Sequence, residues 1–418
     1  MRRAFAASIA IALTAPLIVV WVTRSNAAMT DAQRFAQIEK GRYLATLADC
    51  AACHTLPSGG QSYAGGRSIE TPFGNIMSPN ITPDHETGIG TWSDEDFDKA
   101  VRRGVRPNGQ RLYPAMPYPA YTKMSRDEVM AIRAYLSSIE PVRKSVDRNT
   151  LPFPFDIRTS MLGWDWLFFT PGEYVPDPQM SAEWNRGRYI VQGPGHCVSC
   201  HSEKNVLGAD KSSGYLRGSE IQRWFAPELT NDGRSGLGGW SVEDVTAFLK
   251  TGHNRTSTAT GPMAEEISQS SSKWNEPDLK AVAVYLKSLP GRKDNPTPIR
   301  ADDPAMVAGQ AIYRDACSAC HMLDGKGVPH LFPSLAEAPS VRARDPASIV
   351  RIILRGARSV PTAAEPTGPG MPSFAWQLSD EQIAAVATYV RNAWPPVAAA
   401  VSPDQVSKAR ATLESRSD

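Results

Sequence analysis

After residue 28 the sequence has no hydrophobic run long enough to cross a bilayer, no surplus charge of either sign, and no cysteine outside three five-residue motifs. A membrane-spanning helix needs about 20 consecutive apolar residues, so the body of the chain is not a bundle of such helices. Lys and Arg number 45 against 43 Asp and Glu, a formal net charge of +2. Without the three arginines of residues 1–27 that charge becomes −1. A balance so near zero leaves no basic field to grip a phosphate backbone, which excludes nucleic acid as a partner. None of the six cysteines is left over for a disulfide framework or a lone nucleophile. No acid–base pair or activated hydroxyl stands out either, so the sequence argues against substrate chemistry carried by side chains.

The N-terminus is the exception to the missing apolar runs. Arg2 and Arg3 precede an apolar stretch from Ala4 to Val22, and small residues follow to Ala27. This is the layout of a Sec-type signal peptide over residues 1–27, with an uncleaved membrane anchor as the competing reading. It predicts a mature chain on the periplasmic side of the cytoplasmic membrane.

The rest of the chain repeats one pattern three times. Its centres are CAACH (Cys50, Cys53, His54), CVSCH (Cys197, Cys200, His201) and CSACH (Cys317, Cys320, His321). A glycine-containing amphipathic segment precedes each, with Gly41, Gly187 and Gly309. A short helix follows each. Ser93, Ser241 and Asp345 are the expected N-caps, Pro346 the first helical residue of the third, and Gly104, Gly252 and Gly356 the stops. A second amphipathic helix closes each copy, capped by Ser125, Asn275 and Ser379, and carries Tyr135, Tyr285 or Tyr389 at the matching place. Those tyrosines are expected to pack where glycine lets the two helices approach.

A Cys-x-x-Cys pair can be a redox dithiol, half a zinc site, a disulfide or a haem attachment point. Structural zinc takes four ligands, usually from two pairs, and three pairs in three similar frames do not divide that way. A thioredoxin-type dithiol sits at a strand end in a βαβ setting, and these flanks are helical. Covalent haem accounts for every element: two thiols add to the vinyl groups, and the histidine after the second cysteine reaches the iron. Three covalently attached haem c groups are expected, one per copy. His196, directly before the second motif, has no counterpart in the others and reads as a surface or propionate-contacting residue.

Methionine is the usual sixth ligand in electron transfer because thioether ligation raises the potential. Each copy offers one beside proline, between its second and third helices: Met116, Met263 and Met371. Met116 and Met263 both lie 62 residues after their histidines, and Met371 lies 50 after. Met77, Met124, Met322, His85, His253 and His330 lack such counterparts. Pro333 is a candidate carbonyl partner for the His321 ring.

These stretches, with GGQSYAGG, TPFGNIMSPNITPDHETGIGTWSDEDF, LYPAMPYPAY, GPGHCVSCH and GPGMPSF, make the chain resemble the triheme cytochrome c subunits of bacterial membrane-bound dehydrogenases, which serve alcohol, gluconate, sorbitol or fructose oxidation. The resemblance implies a mainly α protein of three tandem class I-like cytochrome c domains joined by proline-rich linkers. Their expected bounds are 33–140, 181–290 and 304–396, with linkers at 141–180 and 291–303 and a polar tail at 397–418. It implies a large catalytic subunit carrying PQQ, FAD or a molybdenum cofactor, a small third subunit in some complexes, and membrane association with ubiquinone as acceptor. The aromatic linker, with Trp164, Trp166, Phe168 and Phe169, reads either as a staple between the first two domains or as a partner surface. A peroxidase-like enzyme with one open haem and a free-standing electron carrier are the rival readings.

Overall fold

In the computed structural model residues 29–57, 59–292, 296–366 and 368–414 are described; the segment read as an export signal lies outside them. The first unit comprises α1 (Asp31–Leu47), α2 (Cys50–His54), α3 (Asp94–Arg103), the short α4 (Tyr118–Tyr121) and α5 (Arg126–Ser138). A connecting helix, α6 (Ser160–Phe168), leads to the second unit: α7 (Ala182–Gln192), α8 (Val198–His201), α9 (Val242–Thr251), α10 (Gly261–Gln269) and α11 (Glu276–Ser288). The third holds α12 (Pro304–Ile312), α13 (Ser318–His321), α14 (Ala347–Arg355), α15 (Asp380–Asn392) and α16 (Pro403–Glu414). The fold is mainly α.

Each unit also carries one small antiparallel ladder that the helical pattern did not announce. β1 (Ser68–Thr71) pairs with β2 (Gly74–Met77), and β3 (Ser219–Ile221) with β4 (Trp224–Ala226), both between the cysteine motif and the next helix. In the third unit β5 (Ala357–Arg358) pairs with β6 (Gly370–Met371) after α14 instead. Two to four residues per strand are too few for alternation to register in the sequence.

The frame of each unit is a helix crossing in backbone contact. A methyl added at Gly41 would sit 1.8 Å from the Ala131 carbonyl oxygen, one at Gly187 1.9 Å from that of Ala281, and one at Gly309 2.2 Å from that of Ala385. The Cβ atoms of Tyr135, Tyr285 and Tyr389 lie beside the same glycines. So α1 crosses α5, α7 crosses α11 and α12 crosses α15 where only a hydrogen fits. Caps hold the ends of these helices. Ser93, Ser125, Ser241 and Ser379 form capping boxes with Asp96, Glu128, Asp244 and Gln382. Gly104 and Gly252 close α3 and α9 in the left-handed region. At α14 the start shifts by one residue: Pro346 is the cap, and Asp345 accepts from the Ala347 N–H at 2.8 Å.

The first two units form a reciprocal pair. Tyr43 on α1 donates to Asp278 at the start of α11 (2.6 Å), and Tyr189 on α7 donates to Glu128 at the start of α5 (2.8 Å). The same Gly-Arg-Tyr run supplies both tyrosines, and both acceptors are the third residue of a closing helix, as in a two-fold interface. These units accordingly share one hydrophobic core. The third unit has Ala311 where the tyrosine would be, and a core of its own.

Two segments outside the repeat are more structured than their composition suggests. The stretch 397–418, expected as a polar tail with one helical stretch over SPDQVSKARATLE, carries α16, which packs on α14 and α15 and buries Val406 and Leu413, with Val401 buried just before it. Arg410 fixes it by donating to the carbonyls of Ala375 and Leu378 and pairing with Asp380. The aromatic linker staples with one face: Trp164 donates to the Leu207 carbonyl at 3.0 Å, Tyr118 to Asp165 at 2.6 Å, and Tyr174 to Asn185 at 2.8 Å. Its other face leaves Phe153, Leu162, Trp166 and Leu167 exposed.

Gly187→Ala is expected to lower stability by about 1–3 kcal/mol through overpacking. Gly163→Ala on α6, whose methyl meets nothing within 4 Å, should be neutral or mildly stabilising. Thermal unfolding followed by circular dichroism checks both, and equal melting points would rule out the tight crossing.

Candidate haem-binding sites

The three cysteine motifs enter the fold in two ways. Asp49 and His196, directly before the first and second, adopt the left-handed region at φ 49° and 36°. This reversal turns α2 and α8 inward from the ends of α1 and α7. In the third unit Ala316 lies in a π-helical turn, Tyr313–Cys317, that runs on into α13. Both routes bury the histidine to the same degree: His54, His201 and His321 are each 8% exposed.

The three imidazoles are held alike. Nδ1 of His54 donates to the Pro79 carbonyl at 2.7 Å, Nδ1 of His201 to that of Pro227 at 2.7 Å, and Nδ1 of His321 to that of Pro333 at 3.0 Å. A carbonyl can only accept, so the proton sits on Nδ1 and the Nε2 lone pair is free to bind a metal. Burial pushes all three rings below the usual imidazole range, against a smaller opposing pull from the carbonyl, so they stay neutral as ligation requires. The prolines lie 25, 26 and 12 residues after their histidines. Only the third was close enough to suggest itself from sequence.

All six cysteines are unpaired with one another. Burial pushes the thiols of Cys50 and Cys53 up to about 12 and those of Cys200 and Cys317 up to about 11, and it raises Cys197 as well. A redox dithiol needs the opposite shift. Among the described residues no group of three or more His, Cys, Asp or Glu could hold a metal ion, which sets aside the four-ligand zinc reading.

All twelve residues singled out as haem-attaching or iron-binding line a single cavity of about 2440 Å³ that runs through the three units. Ordinary ligand pockets measure roughly 300–1,000 Å³, so one small molecule does not account for this one. Thiol pairs on the wall, neutral imidazoles with a free nitrogen, and a largely apolar surround fit covalently bound haem. The methionines occupy three different settings. Met116 is in the turn before α4. Met263 is in the first turn of α10, which starts at Gly261-Pro262 because proline suits a helix start. Met371 is in β6, opposite Ala357. The expected proline loops for the last two are therefore a helix and a strand.

Other residues sort by the same wall. Met77 and Met124 reach it, as does Met161 of α6. His85, His253, His330 and Met322 do not line it. His330 is 66% exposed and bonds Glu365 at 3.2 Å. His196 is not a surface residue. It is half-buried on the wall with its ring 5.7 Å from that of Tyr121, and burial lowers it to about 4. Sequence reading also missed Arg67. This residue donates to the Ala52 carbonyl inside the first motif at 2.5 Å and forms a two-pronged ion pair with Glu265 of the second unit.

A sequence model of the cytochrome c family matches residues 38–140 and 306–394. Over 399 residues the chain is 38% identical to the gluconate 2-dehydrogenase cytochrome c subunit of Pantoea cypripedii, covering 90% of each protein. The chain belongs to the cytochrome c subunits of bacterial dehydrogenases. The cytochrome is also 38% identical over 400 residues to the cytochrome c subunit of the quinone-type alcohol dehydrogenase of Gluconobacter oxydans, across 90% of this chain and 83% of that one. Against one of the subunits of the nicotinate dehydrogenase of Pseudomonas putida it is 41% identical over 366 residues, 85% of this chain but only 30% of that much longer protein. As a member of this family the cytochrome binds haem c covalently and transfers electrons for a catalytic dehydrogenase.

A double-mutant cycle on Arg67→Met and Glu265→Gln should return a coupling of about 1 kcal/mol, the scale of a well-aligned but partly exposed pair. Denaturant unfolding measures it, and a coupling of zero would mean the pair does not tie the two units.

Proposed function

We propose that this cytochrome is a periplasmic triheme relay, passing electrons from a partner dehydrogenase subunit through three covalently bound haem c groups to ubiquinone. The carrying observation is that three Cys-x-x-Cys-His motifs, each with its imidazole held on a proline carbonyl, open into one cavity. Haem bound there supplies a one-electron iron couple. Cys50 and Cys53, Cys197 and Cys200, and Cys317 and Cys320 would hold the porphyrins. His54 with Met116, His201 with Met263, and His321 with Met371 would hold the irons. The middle unit falls between the two matched regions of the family model, and its α7–α11 crossing and His201–Pro227 bond support a third domain with its own haem.

The chain's own groups do the rest. Proline carbonyls fix the ring tautomers, and the shared, largely apolar cavity brings the three sites onto one wall. Export by the N-terminal signal would place the relay on the outer face of the cytoplasmic membrane. The relatives are named for nicotinate, gluconate and alcohol oxidation, so the partner is a primary dehydrogenase for small alcohols, sugar acids or related substrates, carrying PQQ, FAD or a molybdenum cofactor.

Haem content measured as the pyridine haemochrome should be three per chain, and changing both cysteines of any one motif to alanine should lower it by one. Met116→Leu, Met263→Leu and Met371→Leu should each abolish the methionine–iron absorption of one haem without lowering haem content. Two haems in the wild-type chain, or a methionine change without spectral effect, would refute the corresponding part.

A further inference from the structure

The three closing helices differ in charge at one matched position. Two residues beyond Tyr135, Tyr285 and Tyr389 stand Ser137, Lys287 and Arg391. Ser137 is exposed and neutral. Lys287 donates through Nζ to the carbonyls of Leu237 at 2.7 Å and Gly238 at 3.2 Å, and to Asn231 Oδ1 at 2.6 Å. Leu237 is on the cavity wall. Arg391 is 0% exposed and donates to the carbonyls of Val341 (2.8 Å), Ala343 (2.9 Å) and Ala399 (3.0 Å).

A second cation joins it in the third unit. Arg342 is 1% exposed and donates to the carbonyls of Leu335, Pro396 (2.9 Å) and Trp394 (3.0 Å). Leu335 and Val341, which accept from the two guanidiniums, both line the cavity. No ion pair to either arginine is found among the described residues. Burial, and then the other arginine, lower Arg342 to about 10; burial, and then Arg234, lower Arg391 to about 10, with Asp345 opposing. Both therefore stay charged at neutral pH.

Such an arrangement is expensive unless something uses it. A buried charge without a counter-ion is disfavoured, and a hydrophobic residue could pack the same helix end. The acids near the haem-attaching cysteines of the first two motifs supply no matching grade. Burial raises Asp49, beside Cys50, well above the usual carboxylate range and Glu266, near Cys197 and Cys200, to about 7, which favours their neutral forms. In the third unit Asp315, beside Cys317, and Asp324, beside Tyr313, are exposed and screened by solvent.

We propose that this graded positive charge orders the three reduction potentials, with Lys287 raising the second site and the Arg342–Arg391 pair making the third, at Cys317–Cys320–His321, the most oxidising. Gaining one electron takes ferric iron to ferrous and removes a positive charge, so cations held behind the wall, only partly offset by Asp345 at Arg391 and Asp244 at Lys287, favour the reduced state. Electrons from the dehydrogenase then collect at the third unit before leaving for the quinone. The proposal rests on one haem at each motif, as proposed above.

Potentiometric titration of the full haem-loaded chain tests it. Three one-electron steps are expected. Arg391→Met should lower the highest step, changing its ferrous-to-ferric ratio at fixed ambient potential on the order of tenfold, or about 59 mV. Arg391→Lys should leave that step near its wild-type value, because it keeps the charge. Lys287→Met, at a partly solvated site, should lower a different step by less and leave the highest in place. Should Arg391→Met fail to fold, the Lys287→Met and Arg391→Lys titrations still decide. An unmoved second step in the first, or a highest step lowered as far as a neutral residue would lower it in the second, overturns the proposal. Three haems with a highest step unmoved by Arg391→Met also overturn it, whereas a haem count below three refutes the relay reading instead.

Discussion

The structure depends on three places where a helix backbone touches another helix backbone. At Gly41, Gly187 and Gly309 the facing carbonyl oxygen stands within 2.2 Å of where a methyl would be. That contact sets the distance between the first and last helix of each unit and hence the position of the motif that follows the first helix. It also explains the matched tyrosines, whose Cβ atoms flank the glycine. The motif's direction then follows from the residue before it, left-handed at Asp49 and His196 and π-helical through Ala316. A proline carbonyl finishes the placement by fixing the ring. The chain uses two glycine–carbonyl crossings to build a pair and a third to build an appendage.

Much of this was legible in sequence because it repeats. Caps, glycine stops and the aromatic on the closing helix each appear three times, and a signal seen three times at matched spacing is hard to mistake for chance. The features that escaped are those a single strand of letters does not encode. The ladders are too short to alternate. Pro79 and Pro227 act through backbone oxygens, which every residue has, from 25 and 26 positions away. The surface reading of His196 fails because its ring packs on Tyr121 of the neighbouring unit. Arg67 carries no signal in the sequence because its partner, Glu265, lies 198 residues on.

The C-terminal stretch shows a different limit. Its composition is small and polar, yet Val406 and Leu413, seven residues apart on α16, and Val401 just before it are buried in the core of the third unit, where α16 packs on α14 and α15. A few apolar residues in a polar context are enough for a helix that needs only to cover an existing surface, because its partner supplies the rest of the apolar contact. Arg410 adds polar fixings at the edge.

The exchange of Tyr43 and Tyr189 between the first two units has a consequence for how the chain can come apart. Each tyrosine reaches a carboxylate at the head of the other unit's closing helix, over a continuous apolar interior. Neither half presents a finished surface by itself, so residues 31 to 289 form one cooperative block. With alanine at the corresponding place, the third unit docks through polar contacts, such as Ser334 to the Thr256 carbonyl and Ser348 to Phe225, and a small apolar cluster of Val360 with Ala259 and Ile267. Melting therefore divides the polypeptide into two pieces rather than three, and a swap or excision of modules would tolerate a cut after the second unit far better than one after the first.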